Sequence, residues 1–216
     1  MYNSGSFIFS YDFNYKERLI LMNERLKKQI QFIMEMDKLK HVFRQSRLLN
    51  YERHENSAEH SWHLAVIAMI LSEYAEEELD ILKVLKMVLI HDIVEIDAGD
   101  TFAYDEAGYD DKEQRENQAA ERIFNMLPSD QAEKMWNLWR EFEEQKTPEA
   151  LYAASVDRLA PFLLNYYTEG YTWRLPGVTS AKVLKRMKVM EKSVPVIWEL
   201  VQEIIEDSIK NGYLAD

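Results

Sequence analysis

Cysteine is missing altogether from the 216 residues, and glycine and proline are scarce, at 6 and 5. Without thiols there is no disulfide framework, no thiolate zinc site and no cysteine nucleophile, and a reducing compartment fits the composition. So few chain-breaking residues leave little room for low-complexity linkers and indicate a helical chain. Basic residues are outnumbered, 26 Lys and Arg against 38 Asp and Glu, for a formal net charge of −12. That balance argues against general nucleic-acid binding, which needs basic surface to meet phosphates. No uncharged apolar run reaches membrane length, and Met1 to Ser10 lack the basic start and sustained apolar core of a secretory signal. The expectation is a cytoplasmic protein with no membrane partner.

What is present is length enough for one substantial core. Residues 1–15 are expected to be a flexible segment and residues 16–216 one all-α domain, a compact helical bundle. Apolar residues recur at helical spacing from Leu19 to Met36. A reversal of sign follows, with Lys40, Arg44, Arg47 and Arg53 close together in an otherwise acidic chain. Such a run is either a solvated connector or an anion contact. Asn56 with Glu59 three residues later forms an N-terminal capping arrangement for a second helix. Its periodicity predicts a core stripe of Trp62, Ala65, Val66 and Met69, with His60 and His63 on another face. Asp80 is a natural N-cap for a third helix, and amphipathic segments follow over 112–127, 129–145, 180–192 and 195–211. In the last of these, Val196, Ile197, Leu200, Val201, Ile204 and Ile205 form a packing stripe. Thr147-Pro148 opens a further helix, in which Asp157 shares a stripe with Ala153, Ala160 and Leu164. A carboxylate on such a stripe needs a partner.

The central stretch runs from Leu89 to Asp100. Of residues 81–94, ten are apolar, and the exceptions are Lys83, Lys86, His91 and Asp92. The segment therefore reads as a helix buried nearly all round, ending in an adjacent His-Asp pair. Burying ionisable groups without hydrogen bonds or a cation costs several kcal/mol, roughly, so either a polar network or a metal must satisfy them. On a helix, Glu95 lies on the same side as His91 and Asp92. Other catalytic signatures are missing: there is no glycine-rich phosphate loop, no H-E-x-x-H and no G-x-S-x-G.

His60 within Glu59-His60-Ser61, the His91-Asp92 doublet about thirty residues on and Asp157 on a later helix stand in the order His, His-Asp, Asp. With Arg53-His54-Glu55-Asn56-Ser57-Ala58-Glu59-His60-Ser61 and His91-Asp92-x-x-Glu95-x-x-x-Gly99-Asp100, this resembles the HD-domain metal-dependent phosphohydrolases. The similarity is to the branch containing bacterial 5′-deoxynucleotidase and HD-domain-containing protein 2, and it covers roughly residues 30–205. The resemblance implies that His60, His91, Asp92 and Asp157 ligate one divalent metal ion, and that donor mix suits Mn, Co, Fe, Ni or Zn. It makes Glu95 and Asp100 the catalytic carboxylates and Arg44, with Arg47 as competitor, the substrate phosphate contact. The implied partner is a small-molecule nucleotide, hydrolysed from the 5′-monophosphate, and the implied assembly is a homodimer. Gln45 stands where the bacterial enzyme has a tryptophan that helps exclude ribonucleotides, so the sugar stays open. Two alternatives are carried: hydrolysis of another nucleotide (triphosphate, cyclic nucleotide or alarmone), and a non-catalytic nucleotide sensor. Asp97 gains no role.

Overall fold

The computed structural model describes residues 23–216. The expected flexible segment at 1–15 and the first apolar positions of the first helix, Leu19, Leu21 and Met22, lie outside them. Helix α1 (Glu24–Met36) begins where the Asn23 side chain accepts a hydrogen bond from the Leu26 amide. A short antiparallel hairpin follows, β1 (Phe43–Arg47) paired with β2 (His54–Asn56). The basic run gave no sign of strands, because it has no alternation of apolar and polar residues. Its pairing comes from tertiary context instead.

The capping arrangement is present at the start of α2 (Ser57–Leu71): Asn56 accepts from the Glu59 amide while Glu59 accepts from the Asn56 amide. Asp80 caps α3 (Ile81–Ile90), and Thr147 with Pro148 opens α7 (Pro148–Tyr167). Between them lie the single-turn α4 (Glu95–Ala98), α5 (Lys112–Phe124) and α6 (Ser129–Glu144). The chain ends with α8 (Ser180–Met187), the short α9 (Met190–Ser193) and α10 (Pro195–Lys210). The architecture is all-α apart from the hairpin.

Three expectations are corrected. The third helix does not continue to Val94: α3 stops at Ile90 and tightens into a 3-10 turn over His91–Val94. Nor is it buried all round, since Leu82 and Leu89 are exposed. On α2, Trp62 and Met69 face solvent, at 66% and 52% exposure, while His60, Leu64 and Ala68 face the core. That helix is apolar on every side, so periodicity could not choose its inward face. On α10, Val196 and Leu200 are likewise exposed and Ile197, Val201, Ile204 and Ile205 carry the packing.

Helix α7 packs against α2, α3 and α6. One core cluster joins α2, α3, α7 and α10 through residues such as Leu64, Met87, Tyr152 and Val201. A second joins α1, α5 and α6 to Ile90, Ile93 and Val94. The 3-10 turn therefore sits on the seam between two apolar masses, which hold His91 and Asp92 from both sides.

Candidate metal centre

His60 comes from the second turn of α2, His91 and Asp92 from the 3-10 turn, and Asp157 from the middle of α7. His60 Nε2 lies 3.0 Å from Asp157 Oδ1, and His91 Nε2 lies 3.5 Å from the same oxygen and 2.9 Å from Asp92 Oδ1. One donor atom from each of His60, His91 and Asp157 falls within 4.8 Å of the others, and both histidines are buried.

The hydrogen bonds dictate which ring nitrogens carry protons. His91 Nδ1 is 3.0 Å from the Val88 carbonyl, which only accepts, so Nδ1 must be the donor. Nε2 is left facing two carboxylate oxygens, and among the described residues it is a buried atom with no hydrogen-bond partner. A lone pair pointed at carboxylates demands either a proton or a cation between them. On the opposite ring, His60 Nδ1 faces Glu55 Oε2 at 3.5 Å, a charge contact, and among the described residues neither buried atom has a hydrogen-bond partner. Glu55, at the centre of β2, thus stands behind the ligand histidine, a place the sequence left without a role. The donor set fits a divalent cation: imidazole nitrogens held by outer partners and carboxylates converging on one point.

Charge around this point is layered. Arg44 of β1 reaches over the turn, with Nη1 2.8 Å from Asp92 Oδ2, 3.6 Å from Asp100 Oδ1 and 4.0 Å from Glu95 Oε1. Burial opposes its charge, but these carboxylates keep its pKa raised. Burial would raise Asp92 as well, yet His91 and Arg44 hold its pKa at about 2. For Asp157, burial is outweighed by the His60 and His91 imidazoles beside it, which keep it far below the ordinary carboxylate range. Glu95 goes the other way: burial, then the Asp92 charge, push it well up, against Arg44 and the Ser57 hydroxyl that donates to Oε2 at 2.7 Å. Asp100 is also raised, chiefly by burial.

A cleft of about 200 Å³ opens on this cluster, lined by His91, Asp92, Glu95, Asp100 and Asp157, with Arg44 on its wall. The structure thus brings seven of the eight sequence-derived site residues together: the four ligand candidates, both carboxylates and Arg44. Arg47 is not among them. It donates to the Tyr51 carbonyl and lies 4.9 Å over the Tyr171 ring. Gly99, at φ +75°, turns the chain after α4 and brings Asp100 back to the cleft. Arg115 of α5 then pins the loop by donating to the Ala98 and Gly108 carbonyls and to the Thr101 hydroxyl.

The helical frame and this His, His-Asp, Asp arrangement define a class, and a family model described as HD domain matches residues 36–198: the chain belongs to the HD-domain family. Among its relatives is human 5′-deoxynucleotidase HDDC2, 29% identical over 130 residues that cover 60% of this chain and 62% of that one. The protein of the same name from Dictyostelium discoideum is 31% identical over 120 residues, 53% of this chain and 63% of that one. These matches span less than two thirds of the curated relatives' lengths. A crystal structure of a predicted metal-dependent phosphohydrolase from Magnetospirillum magnetotacticum is 47% identical, with a TM-score of 0.83 over 89% of this chain and 96% of that one. HD-domain membership and this neighbour imply a divalent metal, for which His60, His91 and Asp157 form a possible site. No described helix is long and apolar enough to cross a membrane.

Proposed function

We propose that this chain is a metal-dependent phosphohydrolase that releases phosphate from nucleoside 5′-monophosphates, deoxyribonucleotides foremost. The observation that carries the reading is the pair Glu95 and Asp100. Both are withdrawn from water and face the cleft of the donor set, where a purely structural metal would need neither. The named activity of the human relative supports the substrate class.

His60, His91, Asp92 and Asp157 would hold the ion, which Mn, Co, Fe, Ni and Zn all suit. Bound there, it supplies Lewis-acid polarisation of the phosphoryl group and a lowered pKa for water. The protein residues then divide the proton traffic. Ser57 holds Glu95 Oε2, leaving Oε1 on the Arg44 side to orient the attacking water and accept its proton. Asp100, reached through the Gly99 turn, delivers a proton to the departing sugar oxygen. Arg44 balances the carboxylates and offers the phosphate a fixed positive charge.

The same reading takes residues 16–216 as one domain, acting in the cytoplasm as a homodimer. The exposed Trp62, Met69 and Ile70 on α2 supply an apolar face for the second copy. Phosphate release should be measured over mono-, tri- and cyclic nucleotides with Mn, Co, Zn or no metal. Release from monophosphates that needs metal and vanishes in Glu95→Ala and Asp100→Ala supports the reading. Silence throughout would leave a nucleotide sensor, and full turnover in both variants with metal bound would remove their assigned roles.

A further inference from the structure

Beside the metal cleft lies a second cavity of about 360 Å³, lined by Tyr104, Glu106, Arg158, Lys182, Lys185 and Arg186 among others. Its size falls within the roughly 300–1,000 Å³ usual for small-molecule sites. Arg158 and Arg186 line both spaces and form their common wall. In a chain of net charge −12, four cations converging on one cavity need an explanation. Lys182, Lys185 and Arg186 sit at i, i+3 and i+4 on α8, so they share a face. Lys182 is paired with Glu106 at 2.8 Å. Among the described residues, neither Arg158, Lys185 nor Arg186 has a carboxylate oxygen within 4.0 Å.

Arg158 has a structural explanation, because Nη1 donates to the Arg186 carbonyl at 3.1 Å and Nη2 to Gln145 Oε1 at 2.9 Å. Those partners are neutral, and burial together with the Arg186 charge outweighs the more distant Asp157 and Glu143 carboxylates in its surroundings. Arg186 has no such anchor through an ion pair. Arg44, by contrast, has Asp92 as a directly bonded counter-anion. Two neighbouring guanidinium groups with no carboxylate in direct contact among the described residues repel one another, and planar guanidinium groups match phosphate oxygens in bidentate geometry.

We propose that Arg158 and Arg186 form a second phosphoryl-binding subsite, which holds an additional phosphate of a nucleotide whose other phosphate lies at the metal centre. Resting on the nucleotide reading above, the inference sharpens it: a nucleoside carrying two phosphoryl groups binds better than its monophosphate. Lys185 adds long-range attraction for the same group.

The test is titration calorimetry on the full chain loaded with Mn, in the Glu95→Gln background so that hydrolysis does not consume the ligand. The probes are a nucleoside 5′-monophosphate, the 5′-diphosphate of the same nucleoside, and inorganic phosphate. Metal content is checked in every variant. The diphosphate is expected to bind about tenfold more tightly or better, a preference that one further charge-assisted clamp can supply. Adding Arg186→Gln should cut that ratio at least threefold, and Arg186→Lys should restore part of it. Equal affinities for mono- and diphosphate, or a ratio that survives Arg186→Gln, would overturn the subsite. Parallel weakening of all three probes would instead make Arg186 a clamp on the single phosphate of a monophosphate and would equally sink the proposal. Because binding is read directly, absence of turnover on any nucleotide would count against the hydrolase reading alone.

Discussion

Glu55 offers a sharp test of the metal centre, since its carboxylate stands behind a ligand candidate and, among the described residues, touches nothing else charged. Its Oε2 is 3.5 Å from His60 Nδ1, and the residue is only 2% exposed. Held there, the carboxylate keeps the proton on Nδ1 and aims the Nε2 lone pair at the metal position. Glu55→Ala removes the charged carboxylate that faces the buried Nδ1 and frees the ring to adopt the other tautomer. Loss of such an outer partner typically weakens metal binding by about 10- to 100-fold, or about 1.4–2.8 kcal/mol. Glu55→Gln keeps an oxygen acceptor and loses only the charge, so its deficit should be smaller. Competition against a chelator, using Co or Zn and the refolded chain, gives the dissociation constants, and circular dichroism checks that helicity is retained. The expected order of affinity is wild type, then Gln, then Ala. An alanine variant that binds metal as tightly as wild type, or a glutamine variant worse than alanine, would refute this reasoning.

Three further outcomes are expected. Asp97 is paired with Arg122 at the surface, where such pairs contribute about 0.2–1 kcal/mol, so Asp97→Ala should leave metal content and turnover nearly intact; a large loss of either, measured by elemental analysis or phosphate release, would mean that the chain geometry around α4 is misread. Gly170 has φ +78°, and an added Cβ would meet the Tyr213 carbonyl oxygen at 2.0 Å, so Gly170→Ala should cost about 2–4 kcal/mol in urea unfolding. An unchanged urea midpoint would show that the C-terminal turn is not packed there. In metal-free protein, burial works against the His91 imidazolium, but Asp92 and Asp157 raise its pKa well above 6.5. A raised value stabilises the fold fully below the unfolded pKa and loses that contribution as pH rises through the folded one. The melting temperature of chelator-stripped protein should therefore fall as pH rises above about 6.5, while metal-loaded protein, with the proton displaced, should hold its own. Parallel curves would dispose of the idea that proton and metal compete for His91.

Much of the frame was legible because it is written in local chemistry. Asn56 with Glu59, Asp80, and Thr147 with Pro148 form hydrogen bonds within four residues of themselves, so their spacing alone locates the starts of α2, α3 and α7. The His91-Asp92 doublet stood out for a similar reason, as the ionisable break in an apolar run. What was not legible depends on partners distant in sequence. The inward face of α2 is chosen by α3 and α7, and so Trp62 turned out exposed. The hairpin exists because β1 meets β2, and only that pairing sets Arg44 over Asp92. Glu55 and Ser57 lie inside the recognised motif, but their contacts with His60 and Glu95 cross between elements. Arg158 and Arg186 come together across 28 residues, with no motif to announce them.

The contact between His60 and Asp157 spans 97 residues of chain. Closing so long a loop has an entropic cost that must be met before all the donors can converge. A metal at this point would grip the assembled bundle and have little purchase on the transition state that precedes it. Its signature would then be kinetic, slowing escape from the native state while leaving the rate of reaching that state almost untouched.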